Sequence, residues 1–155
     1  MNFRLKCKSN NKPHINRIIC PLGGFLLSSE IKNIQKSLDT FVEGLRILDY
    51  EKISEVFYEK GMSSGVMDEK ISHVYRDHWR EMKEQKIAKG ENYIDESATY
   101  KIKSINIIDN AASVIIDLIF TEKDGTTTSY VDFYHMLKEK DKWIIMNKIF
   151  PRRKK

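Results

Sequence analysis

The chain has 155 residues, 41% hydrophobic and 32% charged, a size and balance that fit one globular domain with a real core and exclude wholesale disorder. No run approaches the roughly 18 apolar residues of a membrane-spanning helix, and two cysteines, Cys7 and Cys20, are too few for a disulfide scaffold or a thiolate zinc site. The formal charge of +5 would suit a nucleic-acid binder, but nine positive charges lie in residues 1–29 and 152–155; residues 30–151 carry a net −4, so nucleic acid is not the expected partner.

Residues 1–28 read as a basic N-terminal extension. An apolar run from Ile18 to Leu27 has the outline of a secretory signal, but Pro21, Gly23 and Gly24 interrupt it and no small-x-small cleavage site follows. The expectation is a loosely ordered extension on a cytoplasmic protein, or an exported one if residues 1–28 act as a signal. Residues 29–151 then form one domain and residues 152–155 a basic tail.

Ser28 or Ser29 can cap a helix starting near Glu30. Its apolar positions, Ile34, Leu38, Phe41, Val42, Leu45 and Leu48, recur at the three-and-four spacing of one buried face. A second helix is predicted over Glu51–Tyr58, burying Ile53, Val56 and Phe57, followed by a loop from Gly61 to Gly65. A third is predicted over Glu69–Lys89, with Ile71, Val74, Tyr75, Trp79 and Met82 along one side. The remainder is rich in β-branched and aromatic residues and predicts four strands: Ala98–Ile108, Ala111–Thr121, Thr126–Leu137 and Lys142–Phe150. Asp109-Asn110 and Asp124-Gly125 are two-residue hairpin signals, and Lys138–Lys142 holds a third turn. Helices followed by an antiparallel meander give an α+β domain with three helices packed on a four-stranded sheet.

Turn chemistry sets register. A two-residue turn at 124–125 places Asp117 opposite Asp132, a turn centred on Lys140 places Asp132 opposite Lys148, and the 109–110 turn places Ile102 opposite Asp117. One row therefore reads Ile102, Asp117, Asp132, Lys148. Tyr100, Ile115, Ile119, Tyr134, Met146 and Phe150 share its face. Two carboxylates and one ammonium among apolar residues would force one carboxyl to a raised pKa, which is how acid–base sites are built. The opposite face, with Val114, Ile116, Leu118 and Phe120, also needs cover, and a second copy of the sheet would supply it.

Two stretches, Tyr130-Val131-Asp132-Phe133-Tyr134-His135-Met136-Leu137-Lys138 and Lys142-Trp143-Ile144-Ile145-Met146-Asn147-Lys148-Ile149-Phe150, give the chain its resemblance to a known superfamily. With Phe41-Val42-Glu43-Gly44-Leu45, Asp49-Tyr50 and Val56-Phe57, they resemble the nuclear transport factor 2-like superfamily, and within it the "putative lumazine-binding" group of small bacterial proteins. The resemblance spans about residues 30–150. It implies a cone-shaped fold with a curved sheet around the helices, a pocket at the open end and a homodimer, and no particular activity. Ketosteroid isomerase, of the same superfamily, has a Tyr where this chain has Phe41, an Asp near the place of Gly65, and an Asp matched by Asp132. One match of three argues against steroid isomerisation. Limonene epoxide hydrolase uses an Asp–Arg–Asp cluster; Asp117, Lys148 and Asp132 are chemically similar, but Lys lacks the two-pronged fork of Arg.

His73, Asp77, His78 and Glu81 are the one candidate metal grouping, with His73 and Asp77 a helical turn apart, but solvated helix pairs explain them better. His135 alternates away from Asp132. The leading expectation is a small-molecule-binding protein of unknown cofactor, its pocket lined by Phe41, Tyr100, Ile115, Asp117, Ile119, Asp132, Tyr134, Met146, Lys148 and Phe150. The alternatives are an isomerase or hydrolase using Asp132, Asp117 and Lys148 for acid–base chemistry, and a dimeric interaction module.

Overall fold

A computed structural model of the chain describes residues 24–67, 69–90, 97–121 and 124–151. The expectations for residues 1–23 and for the tail at 152–155 lie outside the described residues. Helix α1 (Gly24–Ile47) begins ahead of Glu30, so Ser28 and Ser29 lie inside it rather than at its cap. Its predicted apolar stripe is the buried one: Ile34, Leu38, Phe41, Val42 and Leu48 are all under 5% exposed. Asp49 then caps α2 (Tyr50–Val56), its carboxylate accepting from the Glu51 and Lys52 amides.

The chain departs from the predicted order after α2. Phe57 to Met67, expected as a helix end and a loop, form strand β1, and Lys70 to Tyr75, expected as helix, form strand β2. Only His78–Ala88 of the third predicted helix is helical, as α3. Exposure explains the second difference: Ile71 is 74% and Tyr75 61% exposed, so this apolar series is not a buried helical stripe. His73 and Asp77 accordingly share no helix; His73 contacts Ser64 on β1 and Asp77 precedes α3.

The four C-terminal strands stand close to their predicted positions: β3 (Thr99–Ile108), β4 (Ala111–Thr121), β5 (Thr127–Glu139) and β6 (Lys142–Phe150). Among the described residues the sheet has six strands rather than four, in the order β2-β1-β6-β5-β4-β3, with β1 parallel to β6 and every other pair antiparallel. Its inner face, packed on the helices, carries Ala112, Val114, Ile116, Leu118, Tyr134, Met136, Trp143 and Ile145. Lys138 and the Trp143 indole both donate to Glu30, fastening α1 to β5 and β6.

Register is where the sequence expectation needs correction. Ile116, not Asp117, pairs with Asp132, and Asp117 pairs with Val131. The β4–β5 connection is centred on Asp124 rather than between Asp124 and Gly125, which shifts the register by one residue: the Asp124 carboxylate accepts from Thr126 and Gly125 takes the left-handed φ of +83°. A one-residue slip exchanges the faces of a strand. In β3 a bulge between Ile102 and Ser104 sets Ile102 opposite Ile116 and Lys101 opposite Asp117. The β5–β6 turn is the pair Lys140-Asp141 rather than one centred on Lys140, with Lys140 left-handed. A bulge in β6 beside Met146 then restores the phase, bringing Lys148 opposite Tyr134 on the inner face.

Candidate functional site

The predicted row therefore divides. Asp132 and Lys148 point inward with Tyr134; Asp117 points outward, where Lys103 pairs with it at 3.2 Å. Of the predicted lining residues, Phe41, Tyr100, Asp132, Tyr134, Lys148 and Phe150 belong to the inner side, whereas Ile115, Asp117, Ile119 and Met146 belong to the outer face. The expectation that Val114, Ile116 and Leu118 form the second, copy-covered face is likewise reversed: they are the core face. His135 is outward, opposite to Asp132, as alternation predicts.

The inner site is built on β5 and β6. Asp132 has no exposed surface and Lys148 is 8% exposed. The Lys148 ammonium lies 3.0 Å from Asp132 Oδ2, and the Tyr134 hydroxyl donates to the same oxygen at 3.0 Å. Asp132 Oδ1 is buried and accepts no hydrogen bond among the described residues. Burial pushes the Asp132 carboxyl above the usual carboxylate range, and Lys148 and Tyr134 oppose that rise. Burial, with the neighbouring carboxylate, also raises the Tyr134 phenol well above its ordinary value, so it is a neutral donor here.

Aromatic rings surround this polar centre. Phe41 from α1 stacks on Phe57 at 5.6 Å and meets Tyr134 edge-on at 5.9 Å. Trp79 from α3 lies edge-on to both phenylalanines, 5.7 Å from Phe41 and 5.0 Å from Phe57. The Lys148 ammonium sits 5.9 Å from the Phe41 ring centre and 5.2 Å from that of Phe150. Strand β1 makes room for these rings: a Cβ added at Gly65 would overlap the Phe150 ring. Phe57 escapes the sequence-based list because Val56-Phe57 reads as helix core; its signal is the pair of apolar residues immediately before a Gly- and Ser-rich run. Tyr100 stands at the side of the site, its hydroxyl donating to Asp39 at 2.5 Å.

Two cavities elsewhere do not reach Asp132. One of about 570 Å³ lies between α1, α2 and the β5–β6 turn, with Lys36, Thr40, Glu55 and Lys142 on its walls. The other, about 390 Å³, lies on the outer face beside Ser113, His135, Leu137 and Met146. Among the described residues no helix is long and apolar enough to cross a membrane.

Comparison with known proteins agrees with this architecture. Three solved structures illustrate it: a nuclear transport factor 2-like protein of unknown function from Silicibacter pomeroyi (19% identity, TM-score 0.65, covering 82% of this chain and 98% of that one), one from Shewanella baltica (21%, 0.63, 86% and 100%), and a domain of unknown function with a cystatin-like fold from Nostoc punctiforme (11%, 0.62, 83% and 80%). At these identities the similarity shows the fold. Among curated proteins none matches the sequence. The family described as "Putative lumazine-binding" matches residues 29–151. With a match over most of its length, the chain belongs to that family, and its fold is that of the nuclear transport factor 2-like proteins.

Proposed function

We propose that the protein binds a small, flat, uncharged ring compound on the inner face, between the Asp132–Lys148 pair and the aromatic side chains of Phe41 and Phe150. The observation that carries this reading is Asp132 Oδ1, a fully buried acceptor with no partner among the described residues. An unpaired buried acceptor costs roughly 1–3 kcal/mol, and more when charged, so a ligand N–H that meets it gains that much. Lys148 keeps donors beyond the one given to Asp132 and can meet a carbonyl. Because the pair is already neutral, a charged ligand would bring an uncompensated buried charge. A ring N–H beside a carbonyl, as in lumazine, is the complementary edge.

The acid–base alternative depended on two carboxylates on one face, and the register removes Asp117 from it. This register supports binding over two-carboxylate chemistry. The protein's partner is a second copy of the chain: the outer face exposes Ile108, Phe133, Leu137 and Ile149, each at least 38% accessible, and a twofold contact would cover the same apolar patch on both copies.

Calorimetric titration of the full chain with lumazine tests the binding. Wild type and Asp117→Asn should bind equally, and Asp132→Asn at least tenfold more weakly, the loss of roughly one charge-assisted hydrogen bond. No heat of binding with wild type, or equal affinity for Asp132→Asn, would refute the assignment.

A further inference from the structure

We infer that α3 is a door over the inner-face site and that the Trp79 indole occupies the place a flat ring ligand takes. The inference rests on the ligand-site reading above. Asp132 has no exposed surface and Lys148 almost none, so a ligand reaches them only after some element moves.

The other elements around the site are tightly held. Helix α1 buries Ile34, Leu38, Phe41 and Val42, and its Glu30 accepts from both Lys138 and Trp143. Helix α2 buries Tyr50, Ile53 and Val56. Strands β5 and β6 are paired on both edges. Helix α3 is different. Trp79 is its one buried residue, Met82 is partly covered, and Ile87 is 66% exposed. An element with so little buried apolar surface opens locally at a fraction of the free energy of global unfolding.

Its attachment is concentrated at one end. Asp77, the residue before α3, makes no side-chain cap bond to the helix; its carboxylate accepts instead from the Tyr50 hydroxyl at 2.5 Å. The Arg80 guanidinium lies 4.0 Å from the Tyr50 ring centre. Tyr50, itself fixed in α2, is therefore the latch, and Trp79 the leaf. When the helix swings away, the indole uncovers Phe41 and Phe57, whose rings lie 23° from parallel. Phe41 in turn borders Tyr134 and the Lys148 ammonium. The departing group is a planar bicycle with one N–H, so the space it leaves fits a planar bicycle.

Hydrogen exchange of the full chain, read by peptide mass spectrometry, tests the door without any ligand. In wild type the amides of α3 should exchange at least tenfold faster than the slowest amides of α1. Tyr50→Phe removes one hydrogen bond that the closed state has and the open state lacks, and should speed α3 exchange about tenfold further. Equal protection of α3 and α1 in wild type would show that α3 opens only with the whole domain, and α3 exchange unmoved by Tyr50→Phe would overturn the latch. Added lumazine should raise protection in β5 and β6 and lower it in α3; protection gained by α3 would overturn the displacement of the indole. Lumazine that changes no segment would remove the ligand assignment and with it the displaced indole, while the ligand-free exchange decides the door by itself.

Discussion

Asp132 is pulled in two directions: burial disfavours its charge, and the Lys148 ammonium and Tyr134 hydroxyl favour it. Burial prevails, so the folded protein holds this proton more tightly than the unfolded chain does. Stability from Asp132 is therefore fully present below the ordinary aspartate value and is lost as pH rises from there through the raised one. Glu30 has the opposite sign. The hydrogen bond from Lys138, with that from Trp143, holds its carboxyl below the usual range, so its contribution is present above about pH 4.3, the ordinary glutamate value, and lost as pH falls through the depressed one. Urea unfolding across the acid range should show Glu30→Gln with a flattened acid limb and a loss of about 1 kcal/mol at neutral pH, and Asp132→Asn without the decline on the high side. Lys148→Met alone strands a buried carboxylate and should cost about 3–5 kcal/mol, whereas Asp132→Leu with Lys148→Met should fold with near wild-type stability and bind no lumazine. A double variant as unstable as the single one would mean that the pair contributes net stability.

At the scale of elements, the helix α1 stripe and the four C-terminal strands are legible because each repeats its own period over many residues. Strand β1 is not, because its inward positions include Gly61, Ser63 and Gly65, small residues that carry no β signal. Their smallness is a packing requirement, set by the Phe57 and Phe150 rings lying against them. Gly65→Ala should accordingly lower stability by about 1–3 kcal/mol through overpacking, measured by thermal unfolding, and Phe150→Leu in the same chain should restore much of it. The candidate site is legible in part. Asp132, Tyr134, Lys148 and Phe41 follow from the sequence, but the partition of Asp117 does not. The early turn at Asp124 decides it, while the bulge after Ile102 sets what faces Asp117 on β3 and the bulge at Met146 sets the face of Lys148. Each changes phase by one residue, and hairpin composition does not announce a bulge.

The whole molecule presents an apolar outer sheet face whose centre pairs Ile149 with Phe133 and Phe133 with Ile115. Analytical ultracentrifugation at micromolar concentration should find a dimer. Phe133→Lys should convert it to a monomer with an unchanged far-ultraviolet spectrum, since this side chain is already 38% exposed within one protomer. A monomeric wild-type protein would refute self-association through the sheet.

The strand order also bears on how the chain folds. Strand β6, the last of the described elements, lies between β1 and β5, near the middle of the sheet. Until it is in place, the β1–β2 hairpin has no bond to the meander, and the helices lack Trp143 and Ile145 to pack against. During synthesis the domain cannot close progressively from its first elements; β6 must emerge before one cooperative closure becomes possible. Premature termination within β6 would then release two half-sheets with open edges, the form most exposed to chaperones and to aggregation.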